Sequence, residues 1–246
     1  MLTLEICSGS YEDCLRAERG GARRVELNSA LFLGGLTPSI ATVKKVLENT
    51  SLEVIAMVRP RGAGFCYLDS EFEVMMQDAK EMLDHGVHGL AFGFLKADCT
   101  IDAEKTKMMV DLIHQYKKTA VFHRAIDCAL DYEASVCTLI ELGVDRILTS
   151  GQKEKAMDGA DAIAMIQKKY KDRIEILPGS GVNATNLKEL VEKTNVTQAH
   201  SSCRHWENDP TTTGAGVTYA YHEAYDYDCV SEELVKKLVA EAEKLG

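Results

Sequence analysis

Eight times along this chain a short β-branched or apolar run stops at a charged, hydroxyl or glycine residue. The runs cover residues 2–6, 25–27, 53–58, 89–92, 119–122, 146–148, 174–177 and 197–199. At or just past their ends stand Glu5, Glu26, Arg59, Gly93, His123, Thr149, Gly179 and His200. The intervening stretches repeat apolar residues at three- and four-residue spacing, so the chain reads strand then helix eight times over. Such regular alternation implies a parallel sheet with right-handed crossovers. An open dinucleotide-binding sheet would carry a Gly-x-Gly-x-x-Gly turn after its first strand, and none is present. The pattern predicts one α/β domain over residues 1–246, a single (β/α)8 TIM barrel, and the length suits that fold.

Helix starts are marked by Ser10, by Thr37-Pro38, and by Asp69, Asp102 and Asp131. Helical periodicity also covers residues 156–169, 183–193 and 231–245. Two connections are longer than a barrel needs. One spans 28–37; the other, 201–229 after the eighth strand, holds Trp206, Tyr219, Tyr221, Tyr225 and Tyr227. Loops of that kind act as lids, or as packing surfaces against the barrel or a second subunit.

A net charge of −10 argues against nucleic acid or an anionic membrane as partner. The first strand begins at residue 2 with no signal-peptide pattern, and no apolar stretch is long enough to cross a bilayer, so a cytoplasmic location is expected. The eight cysteines are scattered without a Cys-x-x-Cys pair. They read as free thiols, which argues against a structural zinc site.

In this fold the carboxyl ends of the strands carry the chemistry. Arg59-Pro60-Arg61-Gly62 after the third strand offers two guanidiniums suited to a carboxylate or phosphate. Alternatively, Arg59 neutralises Glu5 and Glu26 inside the barrel. His123-Arg124-Ala125-Ile126-Asp127 after the fifth strand offers a general acid/base and a carboxylate able to meet a substrate or metal. Ser150-Gly151-Gln152, Gly179-Ser180-Gly181 and His200-Ser201-Ser202 follow strands six to eight, where phosphate grips tend to form. The glycines could equally be simple turn residues. Glu5 and Glu26 are a candidate acid/base pair, but without an aspartate cluster or His-x-His they argue against a divalent-metal site. Cys7, Cys66, Cys128 and Cys203 each follow a strand and could present soft donors to Cu(I).

Several blocks together resemble the CutC family of copper homeostasis proteins. They are Leu4-Glu5-Ile6-Cys7, Gly20-Gly21-Ala22, Val25-Glu26-Leu27 and Gly34-Gly35-Leu36-Thr37-Pro38-Ser39. Arg59-Pro60-Arg61-Gly62, Phe65-Cys66-Tyr67, Phe122-His123-Arg124-Ala125, Leu148-Thr149-Ser150-Gly151-Gln152 and His200-Ser201-Ser202 complete the set, in family order. The resemblance implies a TIM barrel, a cytosolic homodimer or homotetramer, and a role in copper tolerance or trafficking, without an established reaction or organic cofactor. Asn28 stands where many relatives carry a cysteine, and Ala63 where they often carry glycine.

Two expectations follow. In one, the protein binds Cu(I) through Cys7, Cys66 or neighbouring thiols. In the other, it is an enzyme acting on a small phosphorylated or carboxylated metabolite. There Arg59, Arg61, Arg124 and the loops at Ser150, Gly151, Gln152, Gly179, Gly181, Ser201 and Ser202 would grip the anion. His123, with Glu5, Glu26 or Asp127, would move protons.

Overall fold

A computed structural model describes residues 2–245. Its strands β1 (Thr3–Ser8), β2 (Arg24–Leu27), β3 (Glu53–Met57), β4 (Gly89–Phe92), β5 (Thr119–Phe122), β6 (Arg146–Thr149), β7 (Glu175–Pro178) and β8 (Gln198–Ser201) form one parallel sheet. The hydrogen-bonded ladder runs from β7 down to β1 and across to β8, with β7 and β8 in contact at the seam. This is the (β/α)8 barrel that the strand–helix alternation predicts. The β1–β8 pairing, with Glu5 opposite His200, joins the first and last strands of the barrel.

The helices are α1 (Tyr11–Arg19), α2 (Ile40–Asn49), α3 (Asp69–Asp84), α4 (Ala103–Gln115), α5 (Tyr132–Glu141), α6 (Ala160–Tyr170), α7 (Leu187–Thr194) and α8 (Glu232–Glu243). Their starts follow hydrogen-bonded caps: the Ser10, Ser39, Asp102, Asp131 and Ser231 side chains each accept a first-turn backbone N–H. Three starts differ from the sequence expectation. α2 begins after Ser39 rather than at Thr37-Pro38, because Thr37 is tied to Arg59, its Oγ1 accepting from the Arg59 N–H at 2.9 Å. α6 begins at Ala160, since residues 150–159 fold into a tight loop in which Gly159 packs on Ser150 and Gly151. α7 begins at Leu187, after an Asn183–Asn186 turn that ties its side chains to the Gly181 carbonyl.

The core has two parts. Ile55, Met57, Ala91, Val121, Leu148 and Leu177 form a small cluster of their own within the sheet. A larger shell joins sheet to helices, with Phe92, Phe94 and Phe122 fully or almost fully buried. No helix of the described residues is long and apolar enough to cross a membrane.

The 201–229 connection is more ordered than a loop. It contains an antiparallel hairpin of β9 (Arg204–Glu207) and β10 (Tyr227–Val230), which straps across α1. Arg16 of α1 donates to Glu207 Oε1 at 2.8 Å and to the Val230 carbonyl at 3.3 Å, while Asp13 accepts the Val230 N–H at 2.8 Å. Trp206 of β9 stacks on Tyr225, and Phe32 of the first long connection stacks on Tyr221 at 4.4 Å. The two long connections therefore meet.

The Arg16 and Tyr227 hydrogen bonds hold the Glu207 carboxyl at about 2, below its ordinary 4.5. A depressed carboxylate value contributes stability above the ordinary range and loses it as pH falls through the folded value. Acidification toward about 2 is therefore expected to loosen the strap. Trp206 is the only tryptophan, so its emission reports the change directly. Glu207→Gln should give the loosened emission already at neutral pH.

Candidate functional site

The strand carboxyl ends surround a cavity of about 570 Å³. Its floor is built where β1, β2 and β8 lie side by side. Cys7, Glu26 and His200 each offer a ligand atom there, and these atoms lie within 4.8 Å of one another. Adjacent strands in register make this possible: Cys7 pairs with Glu26, and Glu5 with His200.

Glu5 does not line the cavity; it lies beneath the floor, 1% exposed. Its Oε1 meets His200 Nδ1 at 2.9 Å, and its Oε2 meets Arg24 Nε at 2.8 Å and Arg146 Nη1 at 3.9 Å. Burial opposes its ionisation, but the His200 hydrogen bond and the Arg24 charge hold it below the ordinary carboxylate range. His200 gains in turn. Burial works against its protonation, yet hydrogen bonds to Cys7 and Glu5 and the Glu26 charge hold it well above the usual histidine range. The Nδ1 contact to Glu5 leaves Nε2 for the cavity.

Burial pushes the Cys7 thiol up, opposed by the His200 hydrogen bond, with Glu26 adding to the rise. Burial likewise raises Glu26, with His200 opposing and Glu5 adding. Asn28 completes the floor: its Nδ2 donates to Glu26 Oε2 at 3.0 Å and lies 3.6 Å from Cys7 Sγ. The Asn28 side chain fills the space a Cβ at residue 35 would take, 2.4 Å away, which requires Gly35 at φ 85°.

His123 forms a side wall. Its Nδ1 accepts from the Ala125 N–H at 3.1 Å, so the neutral ring carries its proton on Nε2. Burial and the Arg59 charge lower it to about 3, so the ring is neutral near pH 7. Gly93 at the end of β4 makes room for it, since a Cβ there would come within 2.5 Å of the imidazole. Nε2 is buried without a partner.

Arg59 lines the cavity, with its Nη groups committed to the backbone. Its Nη1 donates to the Leu33, Gly34 and Gly35 carbonyls and its Nη2 to the Ala63 carbonyl at 2.7 Å. The guanidinium thus fixes the two loops flanking it and packs on Phe65. Ala63 holds φ 63°, a left-handed conformation that glycine adopts more readily. Arg61 points to Glu71 at 2.6 Å and to Tyr67, outside the cavity lining.

The loop after β6 does enclose an anion, but that anion is Asp127. Its carboxylate accepts from Thr149 Oγ1, the Ser150 and Gln152 N–H groups, Ser150 Oγ and Arg124 Nε. The Gly151 N–H goes to Thr149 Oγ1, and the Gln152 side chain to the Ala129 carbonyl. Gly179 packs against Leu148 and His200, and Ser201 Oγ bonds the Val182 carbonyl. Ser180, Gly181 and Ser202 do reach the cavity, as does Arg124. Cys66 is exposed on its loop and outside the Cys7 group, and the thiols at Cys128 and Cys203 lie elsewhere.

Sequence reasoning treated Cys7, Glu26 and His200 separately and argued against a divalent site. The signal that unites them is barrel closure, which puts β8 beside β1. It also missed Leu31, Met57 and Arg204 in the lining. Arg204 and Trp206 alternate along a strand that the sequence reading left inside a long loop.

A (β/α)8 barrel with a cavity at its strand ends, floored by thiol, carboxyl and imidazole, defines the class. Among solved structures, the CutC protein of Streptococcus agalactiae superposes with a TM-score of 0.77 at 31% identity, over 82% of this chain and 99% of that one. A phosphoribosylanthranilate isomerase of Thermotoga maritima superposes at 0.58 with 12% identity, a likeness of fold alone. The CutC family profile matches residues 2–205. A CutC family protein of Treponema denticola is 49% identical over 211 residues, 86% of this chain and 85% of that protein. The human copper homeostasis protein cutC homolog is 39% identical over 82% of this chain and 73% of its own length. The chain belongs to the CutC family.

Glu5 balances two buried guanidiniums, and removing one partner of such a cluster costs about 3–5 kcal/mol. Glu5→Gln is therefore expected to lower the urea-unfolding free energy by about that amount. A loss under about 1 kcal/mol, typical of surface pairs, would contradict the balancing role.

Proposed function

We propose that the protein serves copper homeostasis in the cytoplasm by holding one copper ion on the cavity floor, through Cys7 Sγ, His200 Nε2 and Glu26. The observation that carries this reading is the approach of these three ligand atoms to within 4.8 Å of one another. The relatives' names point the same way, since the mouse and human homologues are called copper homeostasis proteins. The eight free cysteines suit a reducing compartment.

The donor set fits the ion. A thiolate supplies the soft ligand that Cu(I) prefers, and imidazole is a second donor that suits copper. Glu5 supports His200 from behind, as a carboxylate supports a metal-bound imidazole. It fixes the ring with Nδ1 as donor and Nε2 toward the ion. Asn28 occupies the place of a possible second thiolate, so affinity for Cu(I) rests on Cys7 more heavily than in relatives with cysteine there. Cys66 takes no part in this reading.

Ligation requires that Cys7, Glu26 and His200 Nε2 shed their protons, and all three hold them more tightly than usual. Copper uptake should release protons, and affinity should strengthen as pH rises. The deciding experiment titrates Cu(I) against a competing chelator. Wild type should take one ion per chain, and Cys7→Ser should lose more than the ~10–100-fold typical of a change behind the ligands. Equal affinity in Cys7→Ser, or affinity that does not vary with pH, would overturn the reading.

A further inference from the structure

One ion would leave most of the cavity unused. Its volume of about 570 Å³ falls within the roughly 300–1,000 Å³ of small-molecule sites. Its walls also carry polar atoms that the protein leaves without partners. His123 is 4% exposed, and its Nε2 finds no hydrogen-bond partner. Glu26 is 3% exposed, and its Oε1 is likewise unpartnered although Asn28 satisfies Oε2. Leaving such a group unsatisfied costs about 1–3 kcal/mol, a cost that persists where a ligand recovers it.

Charge gives the ligand its sign. Among the described residues the lining holds Arg59, Arg124 and Arg204 with one carboxylate, Glu26. Asp127 and Asp228 pair with Arg124 and Arg204, while Arg59 has no carboxylate partner among the described residues. The mouth therefore keeps a positive excess in a chain whose net charge is −10. Arg124 and Arg204 retain 40% and 46% side-chain exposure. Asp127, Ser150 and the Lys153 carbonyl hold Arg124 through Nε and Nη2, and Asp228 holds Arg204 through Nε. That leaves Arg124 Nη1 and both Arg204 Nη groups for a guest. Ser180, at φ 80°, and Gly181, at φ 73°, hold an unusual backbone beside them. Strain of this kind is concentrated at ligand clamps. Phe65, half-buried on a loop with Gly62 and Gly64, packs its ring 5.1 Å from that of His123 and supplies an apolar face.

We propose that the barrel mouth binds a small hydroxylated organic anion. One of its oxygens accepts from His123 Nε2–H, a hydroxyl bonds Glu26 Oε1, and a carboxylate or phosphate lies toward Arg124 and Arg204. Because His123 is a neutral donor, it suits a carbonyl or carboxylate oxygen without adding charge of its own. The site is complete without copper; an ion on the floor would compete only for Glu26 and would leave the contacts to His123, Arg124 and Arg204.

The test uses the full chain with a chelator present, so that its outcome is independent of copper. Gluconate represents the carboxylate source, ribose 5-phosphate the phosphate source, and inorganic phosphate the bare anion. Each is followed by thermal shift and titration calorimetry. At least one hydroxylated anion should bind saturably, and inorganic phosphate at least about tenfold more weakly, since it cannot span from the arginines to His123. Arg204→Ala, at an exposed position, and His123→Gln should each weaken binding at least about fivefold. If His123→Gln fails to fold, Arg204→Ala decides alone. No saturable binding of either hydroxylated anion, phosphate binding as tight as theirs, or affinity unchanged in Arg204→Ala would overturn the proposal.

Discussion

The Glu5 carboxylate, buried between Arg24, Arg146 and His200, is the interaction on which the rest of this site depends. A carboxylate in a barrel interior is costly unless it is surrounded by charge and hydrogen bonds, and here both are supplied by strands on either side. Arg24 extends the cluster to Gln198, and Arg146 extends it to Glu175, so β1, β2, β6, β7 and β8 share one polar layer. That layer lies across the seam where the ladder between β7 and β8 is open. Electrostatics thus ties the barrel where backbone hydrogen bonding does not.

The same carboxylate sets the character of the floor above it. By orienting His200 through Nδ1, it directs the other ring nitrogen toward Cys7 and Glu26. Stability and chemistry are therefore coupled through one residue. The remaining walls follow a second logic, in which arginines are consumed by loops. Arg59 spends its Nη donors on four carbonyls, and Asp127 gathers the loop after β6. Groups that look catalytic by type act here as internal ligands of the backbone. What stays open to a guest is a smaller set: His123, Glu26, Arg124 and Arg204 about the cavity.

The eight strand ends were legible because burial on both faces makes a parallel strand a continuous apolar run, and a polar residue then marks its end. Boundaries moved by a residue or two, as at β1, which continues to Ser8. The Ser and Asp caps were legible for a similar reason, being local chemistry within a few residues. The hairpin after β8 was not, because its strands are half-exposed and separated by a long insertion, with no strict alternation to reveal them. The fate of Arg59 was hidden too: three of the four carbonyls it satisfies belong to a loop more than twenty residues upstream.

The sequence by itself determined the alternation, the count of barrel strands, and which residue types reach the barrel mouth, since these depend on local periodicity. It also carried the family blocks, from Leu4-Glu5-Ile6-Cys7 to His200-Ser201-Ser202. Only the tertiary structure decided which of those residues meet. Closure brings Glu5 to His200 across 195 positions and sets Cys7 beside Glu26, while it turns Arg61 outward and leaves Cys66 exposed. The reason is geometric: a barrel's mouth is assembled from strand ends far apart in the chain, and strand neighbourhood, register and loop packing select among the candidates that composition and spacing leave open.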